Sequence, residues 1–180
     1  MTKHFEFVPG DEKVIAPGRT VKRIRALVAI AALGITPGTT GGYVEKPENL
    51  SGNAWVYADA LVYDEAWVCG NARVYGDARV FGNARVSGDA RVSGDARVSG
   101  NAEVESRLDH LQVGPAKSSG RFTTAHKDKK IGVRVNCGCF SGSVLEFSRQ
   151  IEKTHANHPE ALQQYRLFCQ LIAFNFGVAP

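Results

Sequence analysis

From Val44 to Val104 the apolar positions recur on a fixed step: Val44, Leu50, Val56, Val62, Val68, Val74, Val80, Val86, Val92, Val98 and Val104 stand six residues apart. An alanine two places before each valine keeps the same step from Ala54 to Ala102. Ala and Val thus alternate with outward positions, as the two-residue period of a strand requires, and a Gly-Asp or Gly-Asn pair then turns a corner. The helical spacing of three and four is absent. One hexad is too short to bury its own valine, so the chain must coil and stack each unit on an earlier one. The pattern changes on either side of the repeat. Leu108 to Gly120 reads as a linker, and "RFTTAHKD" with "GVRVNCGCF" alternates as a hairpin around Lys129-Lys130. Ser143-Val-Leu-Glu146 is a capping box that opens a helix running to about Thr154. Pro159 fits the first turn of a second helix, with Leu162, Tyr165, Cys169 and Ile172 on one apolar face.

The Val-x-Gly-Asp-Ala-Arg unit resembles the hexapeptide repeat of left-handed parallel β-helices, in which three hexads make one triangular coil of about eighteen residues. That resemblance implies a mainly β protein: a left-handed parallel β-helix of about three coils over residues 44–107, with an N-terminal β cap over 1–43. The expected remainder is the linker 108–120 and a small C-terminal α+β domain over 121–180, a hairpin followed by two helices. The handedness comes from the resemblance alone, since general topology favours right-handed crossovers. Before the repeat, Arg23 to Leu27, Gly41 to Glu45 and Glu48 to Ser51 resemble, as a strand, a turn and a lead-in, the entry segment of phage and prophage hexapeptide-repeat proteins of uncharacterised function. The apolar "VAIAALG" departs from that pattern and suggests a hydrophobic contact particular to this chain. "GCFSGSVLEFSRQIEKTHANHPEALQQYRL" is similar to a small domain at the C-termini of phage proteins.

Three hexads per coil place residues eighteen apart in register. One wall then stacks Trp55, Arg73 and Arg91; the next Leu61, Arg79 and Arg97; the third Trp67, Arg85 and Glu103. Trp55 over Arg73 and Trp67 over Arg85 are expected cation–π neighbours, worth about 0.5 to 1 kcal/mol each when exposed. Outward aromatics gather in the first coils as Trp55, Tyr57, Tyr63, Trp67, Tyr75 and Phe81, while the later ones show Ser87, Ser93 and Ser99. Such a cluster marks a contact surface. Because hexapeptide-repeat proteins commonly pack along their prisms as trimers, the resemblance implies a homotrimer.

Composition sharpens this reading in three places. The longest apolar run, Ala26 to Ile35, is about half of a membrane span and reads as a buried strand or short helix. "MTKHFEFVPGDEK" carries acids and Pro-Gly where an export signal needs an apolar run, so a cytoplasmic protein is expected, with its four cysteines as free thiols. The net charge of +4 hides an uneven distribution: residues 43–105 hold six basic and ten acidic side chains, and residues 106–180 hold ten and five. No basic stripe interleaves with aromatics, and a nucleic-acid partner is not expected.

Candidate chemistry is thin. Residues 43–105 contain no histidine and no break in the step, which leaves an acyltransferase reading with His110 or His126 as its only bases near the prism. Cys137, Cys139, His155 and His158 are four potential zinc ligands, but Cys-x-Cys spacing is atypical and His158 stands where a helix cap is wanted. Cys69 lacks catalytic partners and reads as a free structural thiol, and "KDKK" at 127–130 as a solvated turn. Arg73, Arg79, Arg91 and Arg97 are candidates for a small anionic ligand. No cofactor is expected. The sequence therefore leads to a non-enzymatic, oligomeric binding protein of phage or prophage origin directed at host defence machinery, with a hexapeptide-repeat acyltransferase and a structural virion or scaffold protein as rivals.

Overall fold

A computed structural model describes residues 4–179; the first three residues, with which the expected N-terminal cap begins, and Pro180 lie outside the described residues. The chain divides into two units, one ending at Arg107 and the other starting at Leu108.

The first unit is a β-solenoid of about three coils. Nine strands of two residues each build it: β4 (Trp55–Val56), β5 (Leu61–Val62), β6 (Trp67–Val68), β7 (Arg73–Val74), β8 (Arg79–Val80), β9 (Arg85–Val86), β10 (Arg91–Val92), β11 (Arg97–Val98) and β12 (Glu103–Val104). They stack in parallel into three walls, β4-β7-β10, β5-β8-β11 and β6-β9-β12. Trp55 stands over Arg73, Leu61 over Arg79 and Trp67 over Arg85, so the register is the expected eighteen residues. The interior is apolar. Every inward alanine and valine of the repeat from Ala54 to Val104 is at most 1% exposed. Burying one such valine is worth roughly 1.5 to 3 kcal/mol, and the layers repeat without a polar atom among them.

The N-terminal segment closes one end by extending a wall. β1 (Phe5–Ala16) and β2 (Arg19–Ala26) form an antiparallel hairpin, and β3 (Thr40–Val44) joins β2 to β5, making a six-stranded sheet ordered β1-β2-β3-β5-β8-β11. Covering the open end in this way removes an unpaired strand edge. The Gly41–Glu45 segment, expected as a turn, is mostly strand β3. The apolar 26–35 run is a loop with a short 3-10 turn at Ala31–Leu33; Ile30 and Ile35 are buried, and Leu27 and Val28 are exposed.

Corner chemistry explains the glycines. At most corners the residue after glycine donates its N–H to the glycine carbonyl one coil on, as Asn53 does to Gly70, Asn71 to Gly88, Asp77 to Gly94 and Asn83 to Gly100, at 2.8 to 3.0 Å. Two corners depart: Ala58 and Asp64 hold positive φ of 51° and 61° without being glycine. Among the described residues Asp59 and Glu65 do not make the corner bond. A Cβ at the corner keeps successive coils apart. Asp64 compensates, because its carboxylate accepts from the N–H of Gly82 at 2.9 Å and pairs with Arg19 of the hairpin. Ala58 has no such side-chain recourse. Ala58→Gly is therefore expected to stabilise the solenoid by about 0.5 to 1 kcal/mol, read as a rise in thermal midpoint.

The second unit is an antiparallel sheet, β13 (His110–Val113), β14 (Thr123–Asp128), β15 (Gly132–Cys137) and β16 (Phe140–Ser143), followed by α1 (Val144–Thr154) and α2 (Pro159–Phe176). The 108–120 stretch, expected as linker, supplies β13, whose Val113 joins the core of this unit beside partly buried Leu111. The capping box forms as expected, with the Glu146 N–H donating to Ser143 Oγ and the Ser143 N–H donating to the Glu146 carboxylate at 2.7 Å. Phe147 and Ile151 of α1 pack with Tyr165, Cys169 and Ile172 of α2 over Val133 and Val135 of the sheet.

Candidate functional site

The outward side chains of the solenoid follow from its register, since identical backbone positions on successive coils must stack. On the third wall Arg85 lies over the Trp67 ring at 5.4 Å, with Glu103 in register on its other side. The first wall differs. Arg73 and Arg91 are direct register partners, both half-buried, and no carboxylate pairs with either among the described residues. Tyr57 and Tyr75 flank them, edge to face at 6.5 Å, and Ser93 ends that column. Arg73 is held in place by donating to the carbonyl of Ala32 at 3.3 Å. Burial raises the Tyr57 hydroxyl pKa above its ordinary value, and the nearby charges of Arg73 and Arg91 oppose that shift. On the second wall Arg79 and Arg97 are register partners, and the Tyr63 and Phe81 rings stack at 5.1 Å.

The six aromatics expected as an exposed contact surface divide. Trp55 is a correction: it is fully buried, covered by the hairpin through Phe5 and Ile24, and no cation–π contact to Arg73 forms. A tryptophan at an outward position is sealed when a flanking strand is long enough to cross it. Its indole N–H is buried without an acceptor among the described residues. Tyr57, Tyr63 and Phe81 are half-buried, with Arg19 over the Tyr63 ring at 5.5 Å. Trp67 and Tyr75 remain open to solvent at 38% and 37%.

A polar group that sequence reasoning missed fastens the hairpin to the first coil. Arg23 donates to Asp11, to the Tyr43 hydroxyl at 2.6 Å and to the carbonyls of Gly41 and Ala58, while Tyr43 donates to Asp11. Lys13 adds an ion pair with Asp59 and lies 4.1 Å over the Tyr43 ring. Nothing in the local pattern of "FEFVPGDEKVIA" signals this, because the partners are spread over some fifty residues. Another missed feature is the corner ladder in which Asn53 donates to Asn71 and Asn71 to Asp89.

The remaining candidates have structural settings. Cys137 ends β15, Cys139 is exposed in the following turn, His155 stacks on Tyr165 at 4.9 Å, and His158 precedes α2. These four do not gather, and no metal-ligating group of three or more forms among the described residues. Cys69 is half-buried, and that burial raises its thiol pKa. In "KDKK", Asp128 ties its turn by accepting from Lys130, Ile131 and Arg134, and Lys127 pairs with Asp109. On α2, Leu167, Leu171 and Phe174 form an exposed apolar row that the sequence reading did not single out.

Of the two candidate bases, burial lowers the pKa of His110, and it drives that of His126 down to about 4. His126 Nδ1 donates to the carbonyl of Lys127, and Nε2 accepts from Asn136 at 3.2 Å, so the neutral ring is fully engaged. The unfolded ring takes a proton near pH 6.5 and the folded one does not, so this histidine favours the fold above that value. Its contribution declines as pH falls from 6.5 toward 4. His126→Gln is expected to flatten that part of the stability profile in denaturant titrations at several pH values.

Comparison with known families agrees with this architecture. A model of the YdcK β-solenoid repeat matches residues 66–80, 78–94 and 90–105, the part of the solenoid with the most regular hexads. No curated protein and no solved structure matches the chain.

Proposed function

We propose that this chain works by binding and not by turnover: an oligomeric solenoid of phage or prophage origin that captures a component of the host, defence machinery being the leading target. The observation that carries this reading is the uninterrupted wall. From Val44 to Val104 every inward position is spent on stacking, no histidine occurs and no loop leaves the step, so the outer surface offers ladders of side chains and no acid–base pair. The exposed Trp67 and the half-buried Phe81 support association of prisms side by side, a homotrimer being the proposed assembly.

Native mass spectrometry of protein recovered gently from its bacterial host tests the reading. An oligomer carrying a host protein or a few hundred extra daltons is the expected result, and Phe81→Ser should lower the oligomer mass. Turnover of an acyl donor, or recovery of the chain as a stoichiometric part of purified particles, would replace it with the acyltransferase or the scaffold reading.

A further inference from the structure

We infer that the first wall of the solenoid is a binding strip for an organic diphosphate bearing a planar ring, with Arg73 and Arg91 holding the phosphates and Tyr75 receiving the ring. This rests on the binding reading above and names a ligand class for it.

Charge supplies the first argument. Arg73 and Arg91 are register partners on adjacent parallel strands, whose backbones lie about 4.8 Å apart, so two like charges leave the wall from neighbouring rungs. The neighbouring wall has no such juxtaposition, since Arg85 stands between Trp67 and Glu103. The arginines of the first wall have no carboxylate partner among the described residues, and both are half-buried along the wall. An anion with two charged groups one coil apart removes the repulsion, and guanidinium forks bind phosphate oxygens in pairs.

Shape supplies the second. The aromatic column runs Tyr57, Tyr75, Ser93, so Tyr57 covers Tyr75 from one side and the small Ser93 leaves the other side open. Tyr75 is 37% exposed and stands two residues along the chain from Arg73, on the same outward face. A planar group can stack there while its phosphates reach Arg91 and Arg73. Arg73 is already fixed by its bond to the carbonyl of Ala32, so less side-chain freedom is lost on binding.

The test is calorimetric titration of the full chain in about 0.05 M salt with ADP, pyrophosphate, adenosine and a short single-stranded oligonucleotide. ADP should bind tightest, pyrophosphate more weakly and adenosine not measurably. Arg91→Gln should weaken ADP by at least about tenfold. Tyr75→Ser should weaken ADP while leaving pyrophosphate unchanged, with circular dichroism confirming that each variant melts like the parent. Equal affinity of parent and Arg91→Gln for ADP would overturn the assignment, as would adenosine binding as well as ADP, or binding of the oligonucleotide alone. Failure here with a host component still found by mass spectrometry removes the strip and keeps the binding reading. Turnover of an acyl donor removes both.

Discussion

Gly42→Ala melts well below the parent chain, by roughly 10 °C or more, with loss of the β signal in circular dichroism. The glycine is required by space, since its backbone is in an ordinary region: a Cβ there would stand 2.6 Å from Val56 Cγ1, 2.7 Å from the carbonyl oxygen of Ala60 and 3.0 Å from that of Tyr57. Two of these are backbone atoms of the first coil and cannot swing aside. β3 would have to lift off β5, breaking the bonds from Tyr43 N to Ala60 O and from Glu45 N to Val62 O, at 2.9 and 3.0 Å. Overpacking of a rigid site costs about 1 to 3 kcal/mol before the lost hydrogen bonds, at about 1 kcal/mol each, are added. A total near 3 kcal/mol corresponds to a shift of that size in a unit of about a hundred residues. A variant melting within a degree or two of the parent would show that the cap is not seated on the first coil in this way.

The corner glycines fail for a different reason, and Gly76→Ala tests it. Gly76 has φ of +72°, and a Cβ on it would lie 3.0 Å from the nitrogen of Gly94 in the next coil. The substitution combines left-handed backbone strain, about 1 kcal/mol or more for a residue with a side chain, with loss of the Asp77 to Gly94 bond at 3.0 Å. A cost of about 2 to 3 kcal/mol follows, opposite in sign to Ala58→Gly at the neighbouring corner of the same column. Equilibrium denaturation of the two variants side by side decides it. Equal stability of Gly76→Ala and parent would mean that corner spacing is not what sets this position.

The period of the repeat made the solenoid legible. A strict six-residue step says which positions face inward, and the resemblance to coils of three hexads supplied the eighteen-residue register of the walls, Trp67 over Arg85 included. The capping box at Ser143 and the proline opening α2 were equally readable, because each is a local signal. Long-range cover was not. Trp55 and Trp67 occupy equivalent places in their hexads, yet one is sealed and the other open, and the difference lies in how far β1 and β2 reach. That reach is obscured in the sequence by Pro9-Gly10 and a cluster of charges, which interrupt the alternation of a strand. Likewise Gly41 and Gly42 look like turn residues and are in fact the points where two backbones approach too closely for any side chain. On the candidate strip the sequence supplied the arginines. The contrast between the wall of Arg85 and Glu103 and the wall of Arg73 and Arg91 was also readable once the register was set, and the structure adds the half-burial of both arginines and the bond from Arg73 to the carbonyl of Ala32.

The three-walled register also limits how such a chain can lengthen over evolutionary time. Inserting one hexad after Val74 would preserve every interior valine and alanine layer, yet carry all later residues round to the next wall. Arg73 would then sit on Arg85 and Trp67 on Arg79, and the surface columns would be scrambled while the core went unharmed. Growth by eighteen residues keeps both. A full coil is therefore the smallest heritable increment that extends this protein without erasing what its exterior presents.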